Sequence, residues 1–299
     1  MRIAPPLLHI RTSMLDVAYE AHGPVDGEPV ILLHGFPYDP RGYDDIAPAL
    51  AERGYRVLVP YLRGYGPTRF INAQVMRSGQ QAALAKDLLD FMDALAIPRA
   101  TLAGYDWGGR AACIVAALWP ERVRGLVSGD GYNNQDIAKS LEPRPPETEH
   151  RLWYQFYFHT QRGVDGLTAN RRAFCQLLWS LWSPSWAAGP SLYGQSAPSF
   201  DNPDFVDVVI HSYRHRFMYA PGDPALASIE QALALQPTIT VPTISLCGAD
   251  DGVGPPPLED DDAQHFSGVY RRQVLPGVGH NSPQEAPQAT LAALLELLA

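Results

Sequence analysis

Two patterns of apolar residues alternate along this chain: short continuous runs, and longer segments in which apolar residues recur every three or four positions. The continuous runs predict strands that are buried on both faces of a sheet. They lie at residues 30–33, 56–59, 100–103, 123–128, 242–247 and 269–275. The periodic segments predict amphipathic helices at 43–53, 81–95 and 284–298. Together they predict an α/β fold with a mostly parallel sheet flanked by helices.

The pattern changes between residues 133 and 236. This segment is rich in proline and aromatic residues, and it contains Trp153, Trp179, Trp182 and Trp186. It predicts helices joined by loops and inserted between two strands of the sheet. The predicted organisation is therefore a core of residues 1–132 and 237–299 with a helical insertion of residues 133–236.

A sharp turn is predicted between the strand at 100–103 and the helix that follows it. The turn reads Gly104-Tyr105-Asp106-Trp107-Gly108-Gly109. Small residues two positions before and after Asp106 let the strand and the helix pass closely, and the strained turn lifts its middle side chain above the sheet. This arrangement is typical of a nucleophile elbow, and it makes Asp106 the candidate nucleophile.

An aspartate at this position determines which substrates the candidate nucleophile can attack productively. Its carboxyl group is ionised near neutral pH and needs no base before it attacks. Attack on an ester would form a high-energy anhydride, whereas attack on a saturated carbon with a leaving group forms an ordinary alkyl ester that water can hydrolyse. Epoxides and alkyl halides are therefore the expected substrates. The N-terminus of the following helix would stabilise the carboxylate.

Two later segments supply candidates for a base and its acid. His280 follows the predicted strand at 269–275 in a glycine-bounded loop, and its usual pKa suits it to take a proton from water. The strand at 242–247 is followed by Asp250 and Asp251, and an acid there would orient the histidine. Asp251 is preferred because the glycine before it and the proline after it resemble the usual turn for this acid, and Asp250 is the alternative.

The loop after the strand at 30–33 reads His34-Gly35-Phe36-Pro37. The backbone amide of Phe36, together with that of Trp107 at the elbow, would form an oxyanion hole for the hydrolysis of the ester. His34 is expected to support this loop by hydrogen bonds rather than to react.

Five segments in this order resemble the α/β-hydrolase superfamily. They are His34-Gly35-Phe36-Pro37, Arg63-Gly64-Tyr65-Gly66, the Asp106 elbow, the Asp251 turn and Gly279-His280. More narrowly, they resemble the branch that contains the epoxide hydrolases and the haloalkane and haloacid dehalogenases. The resemblance implies that residues 133–236 form a cap over the active site, and that the reaction requires no metal or organic cofactor.

The cap contains two segments that resemble motifs of the epoxide hydrolases. They are Trp153-Tyr154-Gln155-Phe156-Tyr157-Phe158 and Ser212-Tyr213-Arg214. The resemblance implies that Tyr154 and Tyr213 donate hydrogen bonds to the epoxide oxygen as the ring opens. Trp153, Trp107 and Arg110 are expected to contact the substrate, which the aromatic cap predicts to be small and apolar or aromatic. The predicted function is hydrolysis of epoxides to vicinal diols.

A haloalkane or haloacid dehalogenase with the same triad is the alternative. The indole of Trp107 matches a halide ligand of haloalkane dehalogenases, although tryptophan stands there in epoxide hydrolases too. Arg110 matches a position where fluoroacetate-type dehalogenases bind a carboxylate, but those enzymes differ from this chain at Trp107 and at Tyr154-Gln155. A lyase or cyclase that uses Asp106 as a base, or a binding protein on the same fold, is also left open.

Charge and cysteine content disfavour other classes. A net charge of −9 argues against binding to nucleic acid or to an anionic membrane surface. Three cysteines, Cys113, Cys175 and Cys247, lie in apolar contexts without a pairing pattern, which predicts reduced thiols and a cytoplasmic protein. No signal peptide, membrane span or zinc-binding spacing is recognisable. The sequence leaves a homodimer open.

Overall fold

The computed structural model describes residues 5–299 and contains a nine-stranded sheet in that part of the chain. Its strands are β1 (Leu7–Arg11), β2 (Leu15–His22), β3 (Pro29–Leu33), β4 (Arg56–Pro60), β5 (Arg69–Phe70), β6 (Ala100–Gly104), β7 (Val123–Gly129), β8 (Thr243–Gly248) and β9 (Tyr270–Leu275). Every run predicted as a strand forms one, and the predicted ends agree with the observed ends to within a single residue.

The sheet is mostly parallel, as predicted. The strand order is β1-β2-β4-β3-β6-β7-β8-β9, and all neighbours from β4 to β9 are parallel. By contrast, β2 pairs antiparallel with β1, β4 and β5. This antiparallel edge was not predicted from the sequence. The residues of β1 are mostly exposed, so this strand lacks the continuous apolar run that identifies the central ones.

Helices cover both faces of the sheet. They are α1 (Ile46–Ala51), α2 (Gln81–Ala94), α3 (Asp106–Leu118), α4 (Pro146–Arg151), α5 (Trp153–His159), α6 (Gln161–Trp182), α7 (Gly189–Ser196), α8 (Phe205–Arg216), α9 (Ala227–Leu233), α10 (Ser282–Glu285) and α11 (Pro287–Leu298). α2 packs with α3, and α1 packs with α11. The single helix predicted at 284–298 is divided into α10 and α11, because Ala286 leaves the helical conformation directly before Pro287. Between residues 5 and 299, no helix has the length and apolarity needed to cross a membrane.

The helices α4 to α9 all lie between β7 and β8, within the segment predicted as a helical insertion. Its interior is largely aromatic, and the buried side chains include Tyr154, Phe158, Trp182 and Tyr213. At its end, the carboxylate of Glu230 on α9 accepts hydrogen bonds from residues at the start of α2 in the core. The limits of the cap at residues 133 and 236 stay a prediction.

Buried hydrogen bonds fasten the cap to the core. The indole N–H of Trp179 donates to the carbonyl oxygen of Pro37 at 2.7 Å. The hydroxyl groups of Ser196 and Ser199 each donate to the carboxylate of Asp39 at 2.6 Å. Because buried hydrogen bonds are costly to break without a replacement partner, these contacts hold the cap in a defined position over the sheet.

A buried ion pair holds the loop that follows β4. The side chain of Arg63 is 1% exposed, and its guanidinium donates two hydrogen bonds of 2.6 Å to the carboxylate of Asp87 on α2. A further hydrogen bond of 2.6 Å reaches the carbonyl oxygen of Ser78. Loss of either charged partner would leave the other buried without compensation.

We expect Asp87→Asn to lower the free energy of unfolding by about 3 kcal/mol or more, because Arg63 keeps its charge and loses its counter-ion. The ion pair between Arg172 and Asp201 is exposed and provides the control. Asp201→Asn should cost less than about 1 kcal/mol. Urea denaturation followed by circular dichroism measures both values, and similar losses in the two variants would contradict the prediction.

Candidate active site

Asp106 stands at the tight turn between β6 and α3. Its backbone φ is +50°, in the left-handed region that residues other than glycine rarely adopt. Gly104 and Gly108 permit this turn. A Cβ at Gly104 would lie 2.4 Å from the carbonyl oxygen of Gly108, and a Cβ at Gly108 would lie 2.2 Å from that of Leu33. The predicted elbow is therefore present in the structure, with the carboxylate at the carboxyl edge of the sheet.

Two backbone amides hold one oxygen of this carboxylate. Oδ1 of Asp106 accepts a hydrogen bond of 2.7 Å from the amide of Phe36 and another of 2.7 Å from the amide of Trp107. These are the residues predicted to form the oxyanion hole. Since both amides already point at Oδ1, negative charge that develops on that atom would be stabilised without rearrangement.

Asp106 is ionised although it is buried. Burial alone would raise its pKa, but the interaction with His280, the charge of Arg110 and the amide of Phe36 outweigh burial and lower the pKa of Asp106 below its usual value. The carboxylate therefore carries the charge that a nucleophile at this position requires at neutral pH.

His280 lies between two carboxylates. Its Nδ1 is 2.7 Å from Oδ2 of Asp251, and its Nε2 is 3.6 Å from Oδ2 of Asp106. The other oxygen of Asp251 accepts hydrogen bonds from two backbone amides of the turn that follows it. Asp250, the alternative acid, accepts a hydrogen bond from Ser185 instead. The structure thus brings Asp251 rather than Asp250 to the histidine.

The sequence analysis misses a third carboxylate near His280. Asp130 follows β7 with a φ of +68°, and its Oδ2 lies 3.6 Å from Nδ1 of the histidine. Burial and the neighbouring charge of Asp251 raise the pKa of Asp130 well above its usual value. The available signal is an aspartate between Gly129 and Gly131 at the end of a predicted strand.

The surrounding carboxylates control the protonation of His280. Burial alone would lower its pKa, but Asp251, Asp106 and Asp130 outweigh burial and raise the pKa of His280 well above its usual value. The imidazole is therefore protonated at neutral pH while Asp106 is ionised. Neutralising Asp106 would remove part of this support and make the ring a better proton acceptor.

Asp130, Asp251 and His280 are also the residues best placed to hold a metal ion. Their ligand atoms lie within 4.8 Å of one another, and they are the one such group in the described part of the chain. The 2.7 Å between Nδ1 and Asp251 is a hydrogen-bonding distance. A metal ion needs a neutral imidazole, whereas these carboxylates favour the protonated ring. The group is therefore better suited to hold a proton.

The two predicted tyrosines lie together in the cap, with ring centroids 5.3 Å apart. The hydroxyl of Tyr154 accepts a hydrogen bond of 2.9 Å from the side-chain amide of Gln155, and the oxygen of that amide accepts one of 3.2 Å from Arg216. This arrangement leaves the hydroxyl hydrogen of Tyr154 free to donate to a bound molecule. Burial raises the pKa of Tyr154 and of Tyr213, so both hydroxyls are neutral donors. Sequence reasoning missed the roles of Gln155 and Arg216.

A cavity of about 430 Å³ lies between the core and the cap. The core contributes Asp106, His280 and Arg110 to its wall, and the cap contributes Tyr154 and Arg216. The candidate nucleophile, the candidate base and one predicted tyrosine thus face one space. Tyr213, the second predicted tyrosine, does not belong to the residues that line this cavity. The guanidinium of Arg216 stands 4.9 Å from the centre of its ring.

The three predicted substrate contacts have different surroundings. Arg110 lines the cavity and is only 6% exposed. Trp107 is fully buried and stacks on Phe36, and its indole N–H has no hydrogen-bond partner among the described residues. Trp153 packs against Phe174 with ring centroids 5.5 Å apart, and it does not belong to the residues that line the cavity.

His34 supports the oxyanion loop, as expected. Its Nε2 accepts a hydrogen bond of 3.0 Å from the amide of Leu62, and its Nδ1 lies 3.0 Å from the carbonyl oxygen of Gly35. Burial lowers the pKa of His34 to about 4, so the ring is neutral. It joins the loops after β3 and β4 and thereby positions the amide of Phe36.

Comparison with known proteins agrees with this fold and site. A family model described as the alpha/beta hydrolase fold matches residues 28–287. The chain therefore belongs to the α/β-hydrolase family.

Individual relatives indicate the branch of the α/β-hydrolase family to which the chain belongs. A solved structure from Klebsiella pneumoniae, provisionally assigned as an epoxide hydrolase, is 47% identical with a TM-score of 0.94 and covers 97% of this chain and 96% of its own. Epoxide hydrolase A of Mycobacterium tuberculosis is 27% identical over 91% of this chain and 92% of its own length. Epoxide hydrolase B of the same species is 31% identical, but the match spans only 53% of this chain and 47%, about half, of that relative. The chain thus falls in the epoxide hydrolase branch of the family.

We expect NMR titration to find that the pKa of His280 lies well above 6.5 and falls by about 1 to 3 pH units in Asp251→Asn, because the ring loses its nearest opposite charge. Asp130→Asn should lower the pKa of His280 less, since Asp130 is more distant from the ring and has a raised pKa itself. His34 should stay neutral in each protein and serves as the internal control. An unchanged pKa in Asp251→Asn would contradict the assignment of the acid.

Proposed function

We propose that this protein hydrolyses epoxides to vicinal diols through an ester formed on Asp106. The observation that carries the proposal is that the two oxygens of this carboxylate have different surroundings. Oδ1 is held by the amides of Phe36 and Trp107, while Oδ2 faces Nε2 of His280 at 3.6 Å. The same cavity contains the hydroxyl of Tyr154.

In the first step, Oδ2 of Asp106 attacks a ring carbon of the epoxide. The new bond joins Oδ2 to that carbon, and the bond between the carbon and the ring oxygen breaks. The hydroxyl of Tyr154 stabilises the developing alkoxide by hydrogen bonding, and the ring of Tyr213 packs against that of Tyr154. His280 releases a proton once the charge of Asp106 is lost, and the alkoxide takes up one proton to become a hydroxyl group. The products of this step are a hydroxyalkyl ester and a neutral imidazole.

Gln155 and Arg216 prepare the tyrosine for this role. Gln155 occupies a lone pair of the Tyr154 hydroxyl, so the hydroxyl hydrogen can turn towards the substrate. Arg216 fixes Gln155, and its positive charge opposes the rise in the pKa of Tyr154 that burial causes. Because Arg216 limits the rise in the pKa of Tyr154, the phenol remains a stronger hydrogen-bond donor to an alkoxide than burial alone would leave it.

In the second step, neutral His280 removes a proton from water, and the resulting hydroxide attacks the carbonyl carbon of the ester. Charge develops on Oδ1, where the amides of Phe36 and Trp107 already point. Asp251 stabilises the imidazolium as it forms. The bond between Oδ2 and the carbonyl carbon breaks, and the diol leaves with the original Oδ2 and takes the second proton of the water. The oxygen of the water stays in the side chain of Asp106, which is ionised again, and His280 is protonated again.

Dehalogenation is the second candidate, and one observation favours it. The indole N–H of Trp107 is buried beside the nucleophile without an acceptor in the described structure. Such a donor could bind a leaving halide. The paired tyrosines and the hydrogen bond from Gln155 have no equivalent use in that reaction, because a halide needs no proton when it leaves. Epoxide hydrolysis therefore accounts for more of the cavity.

We expect His280→Gln to accumulate a covalent adduct with styrene oxide, because the ester forms but its hydrolysis slows by about 100-fold or more. Mass spectrometry of the intact protein and of the peptide that contains Asp106 should detect the added mass of the epoxide. The double variant Asp106→Asn/His280→Gln is the control and should remain unmodified. Adducts with bromoalkanes but with none of a panel of epoxides would reverse the order of the two candidates.

We expect Tyr154→Phe to slow ester formation from styrene oxide by about 100-fold, since one donor to the leaving oxygen is lost. Tyr157→Phe makes the same change on α5 at a side chain that packs against Phe174 instead, and it should alter the rate by less than about twofold. Single-turnover quench measurements give both rates. Equal effects of the two substitutions would mean that Tyr154 only packs.

A further inference from the structure

The C-terminal end of α6 in the cap lies between the loop that contains Asp251 and the loop that contains His280. The carbonyl oxygen of Trp182 accepts hydrogen bonds from the amide of Gly252 at 3.0 Å and from the amide of His280 at 3.2 Å. Gly252 directly follows the candidate acid in the chain. One carbonyl group of the cap therefore holds the backbone beside the candidate acid and the backbone of the candidate base.

These three segments are in close contact. A Cβ on Gly252 would lie 2.0 Å from the carbonyl oxygen of Leu181, and a Cβ on Gly279 would lie 2.5 Å from the Cα of Ser183. The indole ring of Trp182 stands edge-on to the imidazole of the candidate base, with ring centroids 5.2 Å apart. Because the helix and the loops leave no room for even a methyl group at the two glycines, a displacement of α6 would also displace both loops.

The carboxylate of Glu285 holds the histidine loop from the core. Its Oε1 accepts hydrogen bonds from the hydroxyl of Ser183 at 2.7 Å and from the amide of Asn281 at 2.9 Å, and its Oε2 accepts one of 2.7 Å from the amide of Gly279. The hydroxyl oxygen of Ser183 also accepts a hydrogen bond of 3.2 Å from the amide of His280. The two side chains thus bind all three amides from residue 279 to residue 281, with the histidine in the middle.

Glu285 is placed to hold the loop and not to react. It does not belong to the residues that line the cavity. Burial raises the pKa of Glu285, whereas its hydrogen bonds and the charge of His280 oppose that rise. A buried carboxylate costs free energy unless donors surround it, and here the donors are the backbone of the histidine loop and a hydroxyl of the cap. Capping of the short helix α10 alone would not require the hydroxyl from α6.

We propose that Ser183 and Glu285 are positioning residues for His280, and that through them the hydrolysis of the ester depends on the position of the cap. The inference rests on the proposed function and assigns these residues to its second step. Formation of the ester uses the carboxylate of Asp106, whose Oδ1 is held by amides of the core and not by α6. Hydrolysis also needs an imidazole that is aimed at a water molecule.

The orientation of the imidazole depends on the backbone that carries it. Nδ1 of His280 stays 2.7 Å from Oδ2 of Asp251 only while the two loops keep their spacing, and α6 contacts both loops. A general base must lie within hydrogen-bond reach of the proton that it removes, and a misplacement of about 1 Å can cost about 100-fold in rate. Loss of the contacts at Ser183 or Glu285 should therefore slow hydrolysis more than ester formation.

The same contacts connect the base to the closure of the cap. A cap that moved away from the sheet to admit a substrate or to release a diol would withdraw the carbonyl of Trp182 and the hydroxyl of Ser183 from the histidine loop. The base would then lose its orientation while Asp106 kept its amide contacts. Water would be activated efficiently only when the cap is in place over the ester.

We expect Ser183→Ala to slow hydrolysis of the ester formed from styrene oxide by about 10-fold, and Glu285→Gln to slow it by about 10- to 100-fold. Glutamine keeps the size of the side chain but directs an NH2 group at one or more of the donors. Ester formation should change by less than about threefold in both variants. Single-turnover quench measurements followed by mass spectrometry give the two rates separately. During turnover both variants should accumulate the ester, as expected for His280→Gln.

Two exposed positions provide matched controls. Ser180 lies about one turn earlier on α6, and its hydroxyl donates to a carbonyl oxygen of the same helix. Glu296 on α11 forms an ion pair with Arg271 at the surface. Ser180→Ala and Glu296→Gln should leave both rates within about twofold. Ser183→Ala removes only a hydroxyl group, so it keeps the test available if Glu285→Gln folds poorly.

The two rates also separate failure of this inference from failure of the proposed function. If both steps slow equally in Ser183→Ala and Glu285→Gln, or if neither step changes, the two residues only stabilise the fold, and the inference is overturned while epoxide hydrolysis stands. If neither the wild-type protein nor His280→Gln forms an ester with any epoxide of a panel, the proposed function itself is overturned, and the inference with it.

Discussion

The structure of this site depends on how the carboxylate of Asp106 is held from two sides. Backbone amides fix Oδ1, and the imidazolium of His280 faces Oδ2. A buried carboxylate is tolerated only when its charge is compensated in this way. The left-handed turn at Asp106, which the glycines around it permit, brings the side chain to that position. The neutral ring of His34 holds the loop that contains Phe36 beside it.

The parallel sheet explains why these groups meet. Phe36, Asp106, Asp130, Asp251 and His280 follow β3, β6, β7, β8 and β9, which are neighbours in the sheet. The carboxyl ends of parallel strands lie at one edge, so five loops that are distant in sequence converge there. The cap covers the site and adds hydrogen-bond donors such as the hydroxyl of Tyr154. Its hydrogen bonds to the core fix the distance between the cap and the sheet.

Much of this was predictable because the signals are local. The elbow around Asp106 and the loops of Phe36 and His280 each follow a strand that a continuous apolar run reveals. The turn pattern favoured Asp251 over Asp250, and the structure agrees, because Asp251 rather than its neighbour faces His280. The environment of Arg110 also depends on which helix lies opposite, and partners such as Arg216 are more than 100 positions away in the chain. The edge strand β1 is mostly exposed, and a histidine interrupts its apolar residues, so it has no continuous apolar run that would have identified it.

The charges of the site suggest why one histidine can serve both halves of the reaction. While Asp106 is ionised, it and Asp251 keep His280 protonated, and the charge of the ring in turn lowers the pKa of Asp106. In the proposed reaction, esterification of Asp106 removes one of those charges, and the ring can then release its proton. The group that stabilises the proposed nucleophile before attack would thus become the base afterwards, without any movement of the chain. Oδ2 of Asp251 lies 2.7 Å from Nδ1 of His280, so an imidazolium that forms during the proposed hydrolysis keeps its closest hydrogen-bond partner.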